Sequence, residues 1–296
     1  MSKSLRALGA ALLLGLSSAG AARAQQLLDW TIRTRAEPEA LAAGAEAVFW
    51  NPAGLGRLAG RGEALAVALQ SSEDVGLKGL AAAGALRLAR GTAVALGYQH
   101  FGIDDIGRTG STPPDTGGAD LMSVGEDRLT LGAAQPVGRR AWVGGLVEYD
   151  RSDGGVGVED GFTFGAGALV SGGGPLAPEL AVAGLALSGS TRWRAGVGAG
   201  LPLSARFPAT VRVSYGVSGQ SDRPGRPAQR LAVTGDWHER LVLSVAGVAQ
   251  KSDGTTAYTP EAMAEFRVGR YVLGVVRESL ANDFGSATSV HLGVRF

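Results

Sequence analysis

Residues 285–296 alternate with a period of two. Val290, Leu292, Val294 and Phe296 share one face, and Ser289, His291, Gly293 and Arg295 share the other. The same pattern recurs upstream. It predicts fourteen strands, near 62–71, 78–90, 92–101, 125–136, 140–151, 158–171, 178–190, 192–202, 206–219, 227–238, 241–250, 259–268, 271–280 and 285–296, with twelve as the alternative count. In 206–219, Val211, Val213, Tyr215 and Val217 oppose Thr210, Arg212, Ser214 and Ser218. In 227–238, Leu231, Val233 and Trp237 oppose Arg230, Thr234, Asp236 and His238. In 259–268, Ala262, Ala264, Phe266 and Val268 oppose Glu261, Glu265 and Arg267, and in 78–90, Leu80, Leu86 and Leu88 oppose Arg87. Segments 62–71, 158–171 and 178–190 alternate weakly, because Ala and Gly fill both faces. An apolar face turned outward and a polar face turned inward is what lipid demands of strands, and closure leaves no unpaired backbone edge. The expected fold is therefore all-β: a transmembrane antiparallel up-and-down β-barrel of about fourteen strands.

The connections point the same way. Short turns at Arg90-Gly91, Val137–Arg139, Pro202–Ala205, Glu239-Arg240 and Gly269-Arg270 largely alternate with longer polar links at 102–124, 152–157, 220–226, 251–258 and 281–284. Turns at the periplasmic end and loops outside produce such an alternation, and an even strand count puts both termini on the periplasmic side. The 172–177 link is long for a turn, and the one near Thr191 is tight.

Ahead of the strands, residues 1–24 read as a secretory signal peptide. Lys3 and Arg6 precede an apolar stretch, Leu8–Leu16, and Ala22-Arg23-Ala24 is a small-x-small cleavage site. The stretch falls short of the ~20 residues a spanning helix needs. With no Cys in the chain, lipid attachment, disulfides and Cys-based metal or redox sites are excluded. Residues 25–61 do not alternate. Ala36–Val48 predicts a short helix, and Trp50-Asn51-Pro52-Ala53-Gly54-Leu55 a turn. The chain thus divides into a signal peptide (1–24), an N-terminal segment (25–61) and a barrel (62–296).

Net charge of +1 points to no nucleic-acid partner. The 47 glycines lie within alternating runs, where small residues let a closed sheet bend and leave space in the lumen. Tyr98, Tyr149, Phe207, Tyr215, Trp237, Tyr258, Tyr271 and Phe296 fall near segment ends, where aromatic girdles sit.

The predicted inward face carries Arg87, Arg128, Glu148, Asp150, Arg192, Arg194, Arg212, Asp236, His238, Glu261, Glu265, Arg267 and Arg295. Mixed charges on facing walls either brace a narrow lumen through ion pairs or line a polar, charge-selective pore. His100, His238 and His291 show no metal spacing, and an acyl hydrolase would need a Ser beside His238 or His291. Asp104, Asp105, Asp115 and Asp120 lie in the longest link at spacings unlike an EF-hand, as solvated acids or weak Ca2+ contacts. No enzyme activity, cofactor or resident metal is expected.

One segment carries a resemblance. Ala45-Glu46-Ala47-Val48-Phe49-Trp50-Asn51-Pro52-Ala53-Gly54-Leu55 resembles the A-x-x-x-W/Y-N-P-A-G-L segment of FadL-like outer-membrane barrels, which include hydrophobic-compound transporters and the PorV/PorQ proteins of type IX secretion. The compact links are most similar to the PorV/PorQ-like members. The resemblance implies a Gram-negative outer-membrane protein with Trp50, Asn51, Pro52, Ala53 and Gly54 in a hatch folded into the lumen. It implies that Phe296 is read by the barrel assembly machinery. It implies either passive uptake of small hydrophobic molecules or, as the alternative, a secretion-system accessory that docks partner proteins; outer-membrane lipid is a partner in both.

Overall fold

The computed structural model describes residues 32–71, 77–107, 121–153, 158–187, 190–203, 208–221, 227–252, 255–279 and 286–296. The signal segment, Asp115, Asp120 and Phe207 lie outside them. The strands are β1 (Gly62–Ser71), β2 (Leu77–Arg87), β3 (Ala93–Gly107), β4 (Leu121–Pro136), β5 (Ala141–Asp153), β6 (Val158–Ser171), β7 (Glu179–Leu187), β8 (Ser190–Pro202), β9 (Ala209–Gln220), β10 (Ala228–Trp237), β11 (Leu241–Ser252), β12 (Thr255–Val268), β13 (Tyr271–Ser279) and β14 (Ser286–Arg295). Each pairs antiparallel with its sequence neighbours, and β1 pairs with β14 to close a fourteen-stranded barrel.

The alternation is the reason for this arrangement. Leu80, Leu96, Leu131, Val245 and Leu292 are exposed on the outer face, while their neighbours Ala81, Ala95, Thr130, Ser244 and His291 are buried inside. Those outward side chains would be unfavourable in water and suit hydrocarbon. At the seam the register runs from Glu63↔Arg295 to Ser71↔Ala287. Phe296 extends it: its N–H donates to Gly62 O (2.9 Å), and its own carbonyl accepts from Arg61 N (2.9 Å) and Gly62 N (2.7 Å), with the ring left exposed.

The links are more even than the polarity suggested. β3 and β4 run through part of the expected 102–124 loop, with an irregular register between Ile103 and Ile106, and only 108–120 separates them. β11 and β12 reach Ser252 and Thr255. A ladder of backbone hydrogen bonds propagates through polar residues once the neighbouring strand is in register. Side-chain polarity therefore marks where hydrocarbon ends, not where the strand ends.

His238 departs from its predicted inward place. It sits with Glu239 in the three-residue β10–β11 link 238–240, both at positive φ (55° and 56°), closed by Arg240 N to Trp237 O (2.9 Å). Two positive φ angles are the signature of a type I′ hairpin, whose twist matches the flanking strands.

Candidate functional site

Residues 32–58 lie inside the barrel and join no strand. They contain two 3-10 turns, Glu39–Leu41 and Pro52–Arg57, and one helical turn, α1 (Ala47–Trp50). The Pro52–Arg57 turn packs on β4, β5 and β6, α1 on β3 and β4, and Glu39–Leu41 on β7 and β8. The Asn-Pro pair predicted as a turn starts the second 3-10 turn. Asn51 is fully buried; its Oδ1 accepts from Ala53 N (3.1 Å), and its Nδ2 donates to Ala40 O (2.6 Å). Pro52 takes the first helical position, where a missing N–H costs nothing.

Wall glycines mark where this segment presses on the barrel. A Cβ on Gly144 would fall 2.5 Å from both Pro52 C and Ala53 N, and one on Gly167 would overlap Asn51 Oδ1. One on Gly97 would overlap the Phe49 ring. Glycines in alternating runs are expected to leave lumen space; at these positions the space is filled.

The interior divides into two sectors. On one side, buried and half-buried charges pair across the gap between segment and wall. Arg33 meets Glu39 (2.8 Å) and Glu261 (3.2 Å), and Arg212 meets Glu37 (3.4 Å). Glu179 joins Arg57 (2.8 Å) to Arg212. Arg230 pairs with Glu261 (2.8 Å) and donates to Ala36 O (3.3 Å). Within the wall, Arg267 joins Asp236 (2.9 Å) to Glu265 (2.6 Å), and Arg128 gathers Glu126, Asp150 (2.8 Å) and Glu148 (3.9 Å). Trp50 lies under two guanidiniums, Arg33 at 5.6 Å and Arg194 at 5.1 Å, each within cation–π range; Arg194 also donates to Trp50 O (3.3 Å). Arg87, at the rim, donates to Leu58 O (2.6 Å). Arg192 is buried in the wall, and Arg295 lies near the seam with an unpaired Nε. Arg33, Arg35, Glu37, Glu39, Glu46 and Arg57 were missed, because a segment without periodicity has no predictable face.

Glu46 pairs with Arg35 at 3.1 Å. Burial outweighs that ion pair, Glu63 and Glu265 lie close by, and the carboxyl is pushed up to about 8. A cavity of about 10 Å³ opens beside Arg33, Glu37, Glu46 and Trp50, at the lower limit for one water molecule.

The other sector is apolar. Among the described side chains between rim residues Glu63, Ser71 and Arg87, the inner faces of β1, β2 and β3 carry aliphatic or aromatic groups and glycine, with Gln99 the exception. Ile32, Val48, Phe49, Leu55 and Leu58 of the segment pack against this lane. β3 stays paired to β2 through Ile103 and to β4 across it, so the wall there is continuous along its described register.

Of the histidines, His291 is buried with Nε2 3.4 Å from Glu265 and Nδ1 without a partner. His100 faces outward and meets Asp127 (2.9 Å), and Asp104 meets Lys78 (3.2 Å).

No family model and no curated protein matches the sequence. The fold, in contrast, is similar to that of solved structures. The toluene transporter TbuX of Ralstonia pickettii is similar at 14% identity and a TM-score of 0.53, over 92% of this chain and 100% of that one. A Pseudomonas aeruginosa FadL homologue is similar at 12% identity and 0.53, over 87% and 94%. A deletion mutant of TodX, a monoaromatic hydrocarbon channel, is similar at 9% identity and 0.50, over 86% and 95%. These likenesses are in fold, which is that of outer-membrane barrels.

Proposed function

We propose that this chain is an outer-membrane barrel for passive uptake of small hydrophobic molecules, in which residues 32–58 form a hatch. The observation that carries the reading is the apolar lane on β1–β3, covered by Val48 and Phe49 of a segment that belongs to no strand. Displacing these side chains would expose a continuous oily track inside a barrel whose opposite wall is charged. The similar solved structures include a toluene transporter and a monoaromatic hydrocarbon channel, which agrees with a hydrocarbon-class cargo. On this reading residues 1–24 are removed on export, both termini face the periplasm, and Phe296 serves assembly. The inward charges brace the hatch and do not line an open pore.

The test is uptake of a panel of labelled hydrophobic solutes by a deletion strain with and without the restored gene, alongside a variant lacking residues 32–58. Restored cells should gain uptake, and the truncated barrel should conduct ions in a planar bilayer where the full chain does not. No uptake difference across the panel would refute the reading. The filled interior favours a second reading, a non-conducting accessory of a secretion system that docks partner proteins; loss of secreted protein without loss of uptake would support it.

A further inference from the structure

Gln99 is out of place in the apolar lane. It lies on β3, is 1% exposed, and neither Oε1 nor Nε2 has a hydrogen-bond partner. Ser214 and His291 also carry an unpaired buried atom, but His291 is paired through its other nitrogen. In Gln99 a whole amide is unsatisfied, with two donors and a carbonyl at the edge of the apolar lane. Leaving such a group unpaired is destabilising, a penalty that an apolar side chain of similar size would avoid.

Its position suggests what the amide serves. Along β3 it lies between Gly97, which touches Phe49 and Val48, and Phe101, which borders Gly79 and Ile32. Across the strands it sits opposite Ala81 on β2 and Arg128 on β4. Arg128 is already committed to Glu126, Glu148 and Asp150, so it offers little to an anion arriving beside it. A solute that displaced Phe49 from Gly97 would thus meet the apolar lane of β2 and β3 and, at the next inward position along β3, a neutral amide able to donate and accept, with the committed charges of β4 beyond it.

We infer that Gln99 is a specificity-determining residue of the uptake route and selects apolar molecules bearing one neutral hydrogen-bonding group, such as an aryl alcohol, over bare hydrocarbons. This rests on the uptake reading and deepens it by naming the solute class. A neutral hydrogen bond of about 0.5–1.5 kcal/mol corresponds to roughly two- to twelvefold in selectivity.

The experiment compares uptake of labelled p-cresol and toluene by cells carrying the native barrel, Gln99→Leu, or no barrel, together with the melting temperatures of the purified barrels. The native barrel should favour p-cresol, and Gln99→Leu should lower the p-cresol to toluene ratio about two- to twelvefold while toluene uptake persists. Its melting temperature should hold or rise, since an unpaired amide is removed. An unchanged ratio with both solutes still entering overturns this inference alone. A lowered melting temperature in Gln99→Leu also overturns it, because the amide would then be structural. If neither solute enters above the barrel-free level, the uptake reading falls and takes the inference with it.

Discussion

Gly144→Ala is the sharpest test of how the interior is built. Gly144 faces the lumen on β5, and an added methyl would lie 2.5 Å from Pro52 C and Ala53 N and 2.8 Å from Pro52 O. Carbon contacts are comfortable near 3.5–4.0 Å, so the segment must retreat by about 1 Å. All three atoms are backbone, so no rotamer change relieves the clash. Overpacking of this kind costs about 1–3 kcal/mol. The wall itself should be spared, because the ladder at Ala134↔Gly144 uses only backbone groups. Gly84→Ala and Gly247→Ala are the controls, since nothing lies within 4 Å of a Cβ at either site. Thermal unfolding in detergent micelles, with limited proteolysis of the segment before Gly62, reads both effects. Gly144→Ala should melt earlier and expose residues 32–58 to protease, while the controls match the native barrel. If Gly144→Ala matched Gly84→Ala in both measurements, the segment would not be seated against β5, and the filled lumen would be refuted.

Other outcomes follow from the same interior. Arg230→Ala leaves Glu261 buried with only Arg33 to compensate it, and should cost about 3–5 kcal/mol in chemical denaturation, whereas the double change Arg230→Met with Glu261→Leu should recover most of the loss. Glu46 keeps its proton in the folded state up to about 8, against 4.5 as its ordinary value, so the folded state binds the extra proton between these limits. Stability should therefore fall as pH climbs from about 4.5 to 8, and Glu46→Gln should flatten that slope in pH-dependent melting. Leu292→Arg places a charge on the outer face of β14 and should cost up to about 2–4 kcal/mol in lipid, while the same change at an outward rim position should cost less than about 1 kcal/mol; equal costs would argue against a lipid-facing surface.

The periodic part of the chain was legible because a strand's side chains alternate whatever its surroundings. Val290 and Leu292 had to face opposite to Ser289 and His291, so the face of each residue and a count of about fourteen strands could be read before any contact was known. Residues 32–58 carry no such period. The sequence alone could place a turn at Asn51-Pro52, but not the wall it touches. Only the closed barrel brings Asn51 to Gly167, Pro52 to Gly144 and Glu37 to Arg212, pairs separated by more than ninety residues of chain. His238 was misplaced because a type I′ turn made by His and Glu lacks the glycine that usually announces it. The division of the lumen into a charged wall and an apolar lane is likewise tertiary: each strand shows only its own inner face, and the sector emerges when β1, β2 and β3 lie side by side. Local alternation determined that this chain would make a barrel; the packing of one aperiodic segment against glycines far along the chain decided what fills it.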